Sequence, residues 1–237
     1  MKKIIVIIVL AVITVVSVSA QREKEVTLSS VSAQSEKKVT LWGNAKLNSS
    51  TPGMIGGGLW DKNPSYTETV GVNVGNFSFS AFRTSDLLDK TTNANQTDIS
   101  IAYGKKFGNW KVSVANDVLL FDNNAMNMLT PRIIGAYSKG NFAMEGMVSI
   151  CPFFKGGNMK VIRLSPSMNI QGYNFRLFVW EKEMKGIYST PVVLQIGKKL
   201  FQFENGNSLS AEVAYYCKDI TAKELENFGW GSIQVNF

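Results

Sequence analysis

Nine charged side chains stand at equivalent positions of alternating segments in this 237-residue chain: Lys46, Lys111, Arg132, Arg163 and Arg176, with Asp98, Asp117, Glu145 and Glu212. Charges of both signs on one face attract, orient or neutralise solutes; they do not by themselves make or break bonds. Histidine is absent, which removes Ser-His-Asp catalysis, histidine-assisted proteolysis and His-ligated metals. The four carboxylates share the face, but no local motif joins two of them into an acid/base pair, and solvated charges account for them. Gly56-Gly57-Gly58 lacks the Lys-Ser/Thr and the strand-to-helix context of a phosphate loop, so it reads as a flexible connection. Asp122-Asn123-Asn124 lacks the remaining ligands of a calcium loop and reads as a polar turn. No catalytic residue, cofactor or metal is expected. The candidate site is a basic stripe of Arg132, Arg163 and Arg176.

These residues sit in a chain that alternates with period two from Lys38 onward. Twelve segments are expected, near 38–47, 66–74, 76–85, 96–105, 109–120 and 130–137, then 141–151, 159–168, 172–181, 191–202, 207–218 and 228–237. In the last, Gly229, Gly231, Ile233, Val235 and Phe237 fall on one face and Trp230, Ser232, Gln234 and Asn236 on the other. A start at Met54 to Trp60 for the second segment would change the count. Tight connections such as Gly75-Asn76, Lys139-Gly140 and Glu204-Asn205-Gly206 have hairpin chemistry. They take strict turns with longer polar links, as the two rims of an up-and-down barrel require.

The first twenty residues carry Lys2 and Lys3, an apolar run from Ile4 to Val16, and small residues up to Ala20, the layout of a secretory signal. A near-repeat, SVSAQREKEVTL and SVSAQSEKKVTL, straddles this site and leaves two cleavage positions, after Ala20 or after Ala33. Residues 21–37 then read as a mobile N-terminal tail. Loss of Lys2 and Lys3 takes the formal net charge from +7 to +5, with no basic run interleaved with aromatics, so nucleic acid is not an expected partner. No later stretch is apolar enough for a membrane helix.

If each short turn marks one rim, the apolar-face residues beside that rim are Phe77, Tyr103, Trp110, Tyr137, Phe142, Tyr173 and Phe237. Aromatics collected at one height form the interfacial girdle of a membrane barrel, whereas a soluble sandwich core has no reason to gather them at one end. The expected fold is all-β: a transmembrane up-and-down antiparallel β-barrel of about twelve strands over residues 38–237. No interruption of the girdle marks an oligomer interface.

The final residues Ile233-Gln234-Val235-Asn236-Phe237, a terminal aromatic with apolar residues at every second position before it, resemble the C-terminal strand signal of bacterial outer-membrane β-barrel proteins, the porin-like class. That resemblance implies outer-membrane lipid as surroundings and the barrel-assembly machinery as a partner, with Ile233, Val235 and Phe237 as the assembly signal. Two positions break the pattern: Pro166 lacks an N–H, and Lys198 shares the apolar parity of Leu194 and Ile196, so that either Gly197 marks a bulge or Lys198 snorkels toward the rim. Cys151 and Cys217 lie four strands apart and on opposite faces, which argues against a disulfide. The charged face points inward together with Trp42, Phe82, Met147, Phe178 and Trp230, enough to plug the interior in part. The leading expectation is a small passive channel for polar or anionic solutes; the alternative is a non-conducting structural or interaction barrel acting through its outer loops.

Overall fold

The computed structural model describes residues 39–52, 59–61, 63–88, 95–122, 127–220 and 227–237. The expected signal segment 1–20, the tail 21–37 and the glycines at 56–58 lie outside the described residues. Successive strands are β1 (Val39–Asn48), β2 (Thr51–Pro52), β3 (Leu59–Asp61), β4 (Ser65–Val74), β5 (Phe77–Asp86), β6 (Gln96–Phe107), β7 (Trp110–Phe121) and β8 (Met128–Lys139). They continue with β9 (Phe142–Pro152), β10 (Asn158–Ile170), β11 (Tyr173–Met184), β12 (Ile187–Ser189), β13 (Val192–Gln202), β14 (Ser208–Cys217) and β15 (Asn227–Asn236). Each of the twelve expected segments is a strand whose ends fall within three residues of the expected ones. Of the run from Met54 to Trp60 considered as an earlier start for the second segment, residues 54–58 lie outside the described residues, and Leu59 and Trp60 belong to β3, which pairs with β2 in a ribbon separate from the wall. β12 folds back on the end of β11.

Twelve long strands form one antiparallel wall in the order β10, β9, β8, β7, β6, β5, β4, β1, β15, β14, β13, β11, and the β10–β11 pairing closes it. Neighbours in the wall are neighbours in sequence except at the seam, where β1 meets β15. There Gly43 and Phe237 exchange both backbone hydrogen bonds, at 2.8 and 3.0 Å. A closed wall leaves no strand edge unpaired, which a lipid environment demands. Strands of 10 to 13 residues are long enough to cross a bilayer at a barrel's tilt.

The short turns follow from local chemistry. Gly75 has φ of 59° ahead of Asn76, and Gln171 and Gly172 have φ of 50° and 80°, the left-handed values that tight hairpins need. The aromatics beside those turns pair on the outer surface: Phe77 with Tyr103 at 5.0 Å between ring centroids, Trp110 with Tyr137 at 4.9 Å. Pro166 and Lys198 both keep the parity of their strands. Pro166 keeps its register with Met144 of β9, while Ser165 and Pro166 have no paired residues on β11. The register shift in β13 lies between Lys199 and Phe201, not at Gly197. Lys198 stays outward and donates to the Tyr173 hydroxyl at 3.2 Å.

Candidate functional site

Parity sends every second side chain into the lumen, and on several strands exposure along these inward positions falls from the short-turn rim to the long-link rim. Along β5, Ser78, Ser80 and Phe82 are half-buried and Thr84 and Asp86 are buried. Along β10, Asn169 is exposed, Ser167 half-buried, and Val161 and Met159 buried. The lumen is therefore a vestibule open at the short-turn rim and filled at the other. The filled half has two arcs. Leu119, Phe121, Met128, Val161, Trp180 and Tyr216 belong to one continuous apolar cluster. The opposite arc, on β1, β4, β5 and β6, is polar, with Asn48, Ser65, Thr67, Thr84, Asp86 and Gln96 all buried.

A band of ion pairs lies between vestibule and fill. Lys46 Nζ reaches Glu212 Oε1 at 2.8 Å, bridging from β1 to β14 across the intervening β15. Gln195 also donates to Glu212, at 3.3 Å. Arg132 Nη2 meets the Asp117 carboxylate at 2.6 Å, and the Thr130 hydroxyl donates to the same group at 3.2 Å. Arg163 pairs with Glu145, one strand away and offset from its register partner Met147. Opposite charges at this separation neutralise each other locally, so the band is charged in composition but largely balanced.

Arg176 differs from the other two members of the expected stripe. It is exposed, and no carboxylate lies within 4 Å of it among the described residues. Arg163 and Arg176 both stand over the Phe178 ring, 5.8 and 5.5 Å from its centroid, and Phe178 stacks on Trp180 at 5.2 Å. Together with Lys46, Glu145, Gln195 and Trp230 they line a chamber of about 420 Å³. Arg132 is not in that lining. The structure thus brings Arg163 and Arg176 to one chamber and leaves Arg132 tied to Asp117.

The chamber is rich in donors without acceptors. Among the described residues, the indole N–H groups of Trp180 and Trp230 and the Arg163 Nε have no protein acceptor, and neither has the Trp42 indole above Gly71 on the neighbouring wall. Buried donors are normally satisfied, but these nitrogens present no surface to the lumen, so the donor that a solute meets in the chamber is the exposed Arg176. Trp180 and Gln195 were not singled out from the sequence. Continuing the parity of Phe178 and Arg176 along the same strand would have placed Trp180 in the lumen.

The remaining residues of the sequence reading also have clear places. Lys111 is inward and exposed near the short-turn rim, and Asp98 is buried and accepts from Gln96. Cys151 and Cys217 are free and buried. Of the terminal signal residues, Ile233 and Phe237 are exposed on the outer wall, and Val235, of the same parity, is buried.

No protein-family model and no curated protein matches the sequence. Solved structures do. A KdgM porin aligns over 84% of this chain and 98% of its own, with a TM-score of 0.58 and 10% identity. A NanC porin aligns over 83% and 98%, with a TM-score of 0.55 and 9% identity. At such identity the likeness concerns the path of the backbone and carries no side chain across. Closed wall, outward aromatic ring and near-complete overlap agree: this chain is a twelve-stranded β-barrel with the fold of bacterial outer-membrane porins.

Proposed function

We propose that the protein is a narrow passive channel of the bacterial outer membrane for small polar solutes, with a preference for anions set at the chamber that the ion-pair band helps to line. The observation that supports this reading most is Arg176, exposed in the chamber and without a carboxylate within 4 Å among the described residues. A solute carrying carboxylate or phosphate oxygens would accept from the Arg176 guanidinium, which would also set the sign of the potential at the vestibule. The short-turn rim then faces the periplasm, and the terminal strand with Ile233, Val235 and Phe237 is what the barrel-assembly machinery engages during insertion. No bond-making step is assigned to any residue.

One observation favours the second reading, a barrel that does not conduct: the buried apolar arc with Leu119, Phe121 and Trp180 in the outer half of the lumen. The two readings part in a planar bilayer. The channel reading expects steady, small single-channel currents and a reversal potential in a salt gradient that marks anion preference. Arg176→Glu should bring that preference toward zero or reverse it. A protein that inserts, keeps the heat resistance of a folded barrel and carries no current would discard the channel in favour of the non-conducting barrel.

A further inference from the structure

Charge on the lipid-facing wall is divided between the two rims. In the half next to the long links the outward charges are of both signs: Glu68 and Arg83 are register partners on β4 and β5, Lys160 pairs with Glu183 at 2.6 Å, and Glu181 shares their face. In the half next to the short turns, the outward charges on the described strands are Lys105, Lys139 and Lys198, all exposed, with no outward carboxylate beside them. None of the three has an ion pair within 4 Å among the described residues. Carboxylates at that rim are Glu204, in the β13–β14 turn, and the chain terminus at Phe237, both across the barrel from β7.

Lys105 and Lys139 converge on one place in this wall. Phe107 and Lys139 are the last residues of β6 and β8, each directly before a short turn, so they come to one level. Lys105, one outward position deeper, carries its ammonium back over the Phe107 ring, 5.4 Å from the centroid. Only β7 stands between β6 and β8, which sets the two lysines' strands about 10 Å apart around the wall. Between the lysines lie Trp110 and Tyr137, whose rings pack at 4.9 Å. Just deeper than Tyr137 the wall is bare: Gly135 and Gly146 are register partners, and a Cβ on either would meet nothing within 4 Å.

We propose that the outer wall of β6, β7 and β8 at the short-turn rim binds an anionic phospholipid, with Lys105 and Lys139 holding its phosphate across the Trp110–Tyr137 pair and an acyl chain lying in the hollow over Gly135 and Gly146. Tryptophan and tyrosine rings sit at headgroup depth, and lysine stems lie along apolar surface while their ammonium groups reach for the polar layer. A phosphodiester there accepts from both ammonium groups and supplies the negative charge that this side of the rim lacks. A zwitterionic headgroup brings its own cation toward the same lysines and gains less. The site lies on the lipid-facing wall and is independent of what the lumen carries.

Trp110 is the outward tryptophan of the described strands, since Trp42, Trp180 and Trp230 have inward parity, and it therefore reports on the site itself. The full-length protein, refolded into phosphatidylcholine vesicles, is mixed with brominated phosphatidylglycerol or brominated phosphatidylcholine, whose bromines quench tryptophan at short range. Wild type should gather phosphatidylglycerol at Trp110 by roughly fivefold over phosphatidylcholine, the worth of one lysine at an anionic surface. Lys105→Gln with Lys139→Gln should abolish that excess, and Lys105→Arg with Lys139→Arg, which keeps both charges, should retain it. Lys106→Gln with Lys111→Gln removes the same charge from the same rim on the lumen side and should leave the excess unchanged. Heat-dependent gel mobility shows which variants fold; if the glutamine pair does not, Lys139→Gln alone, at the very end of β8, should still lower the excess. The proposal is overturned if wild type gathers no excess, if the glutamine variant keeps it, if the arginine pair loses it, or if the lumen-side pair abolishes it as well. It is overturned too if inorganic phosphate at constant ionic strength displaces the lipid, which would make the lysines a site for free phosphate.

Discussion

Replacement of Gly43 by alanine should destabilise the barrel at its seam, and the structure gives the size of the effect. A Cβ built on Gly43 lies 2.4 and 2.8 Å from two carbons of the Phe237 ring and 2.8 Å from the backbone oxygen of Thr69. The ring ends a flexible side chain facing lipid and can swing aside. The Thr69 oxygen cannot, because it belongs to the β1–β4 ladder on the other flank of Gly43. Relieving both contacts means moving the Phe237 ring and shifting β1 against β4, and overpacking of this kind costs about 1 to 3 kcal/mol, or roughly a 5- to 150-fold change in the folding equilibrium. The assay is urea unfolding of the refolded protein in lipid vesicles, followed by tryptophan fluorescence and gel mobility. Gly146→Ala is the matched control: it makes the same chemical change at a strand glycine with nothing within 4 Å of the new atom. In a Phe237→Ala background the Gly43→Ala penalty should shrink but persist, the remainder measuring the Thr69 contact. Equal midpoints for Gly43→Ala and Gly146→Ala would refute the claim that the terminal residue closes the wall by nesting on Gly43.

Further expectations concern the lumen. Trp180→Ala removes a large, buried ring from the apolar fill; it should cost about 3 to 5 kcal/mol where the site does not collapse, and single-channel conductance in planar bilayers should rise, an unchanged current counting for the non-conducting barrel. Glu145→Gln leaves Arg163 without its carboxylate, so the reversal potential should move toward stronger anion preference. Stability in the same urea assay should fall by about 1 to 2 kcal/mol, less than for a fully buried pair, because the Glu145 side chain keeps 41% of its exposure. Cys151 and Cys217 should both titrate as free thiols after unfolding and resist labelling in the folded barrel, as their burial requires; a mass deficit of two hydrogens would show a disulfide and contradict the strand separation.

Much of the wall was legible in advance, for a physical reason. A strand's period of two is a property of a few consecutive residues, and the twelve segments, the hairpin turns at Gly75 and Gly140 and the aromatic ring beginning at Phe77 all follow from it. Pro166 and Lys198 broke the pattern on paper and not in space. Pro166 gives up pairing on one side only, and Lys198 runs along the wall to Tyr173 near the short-turn rim. The candidate site was legible only as composition. Parity told that Arg132, Arg163 and Arg176 point inward, but their partners depend on which residue of the next strand stands opposite.

The sequence by itself determined that this chain closes into a membrane barrel, which residues face inward and at which rim the aromatics lie, because each of these depends on local alternation and turn chemistry. Tertiary structure alone decided that Arg163 meets Glu145 while Arg176 stays without a carboxylate, and that Lys46 reaches Glu212 at a separation of 166 residues. It alone decided that the far half of the lumen is filled and that Glu68 lies level with Arg83 on the lipid face. Register between strands and the stagger of a closed wall arise from the whole circuit of hydrogen bonds and from the summed volume of side chains that must share one interior, and no single segment encodes either.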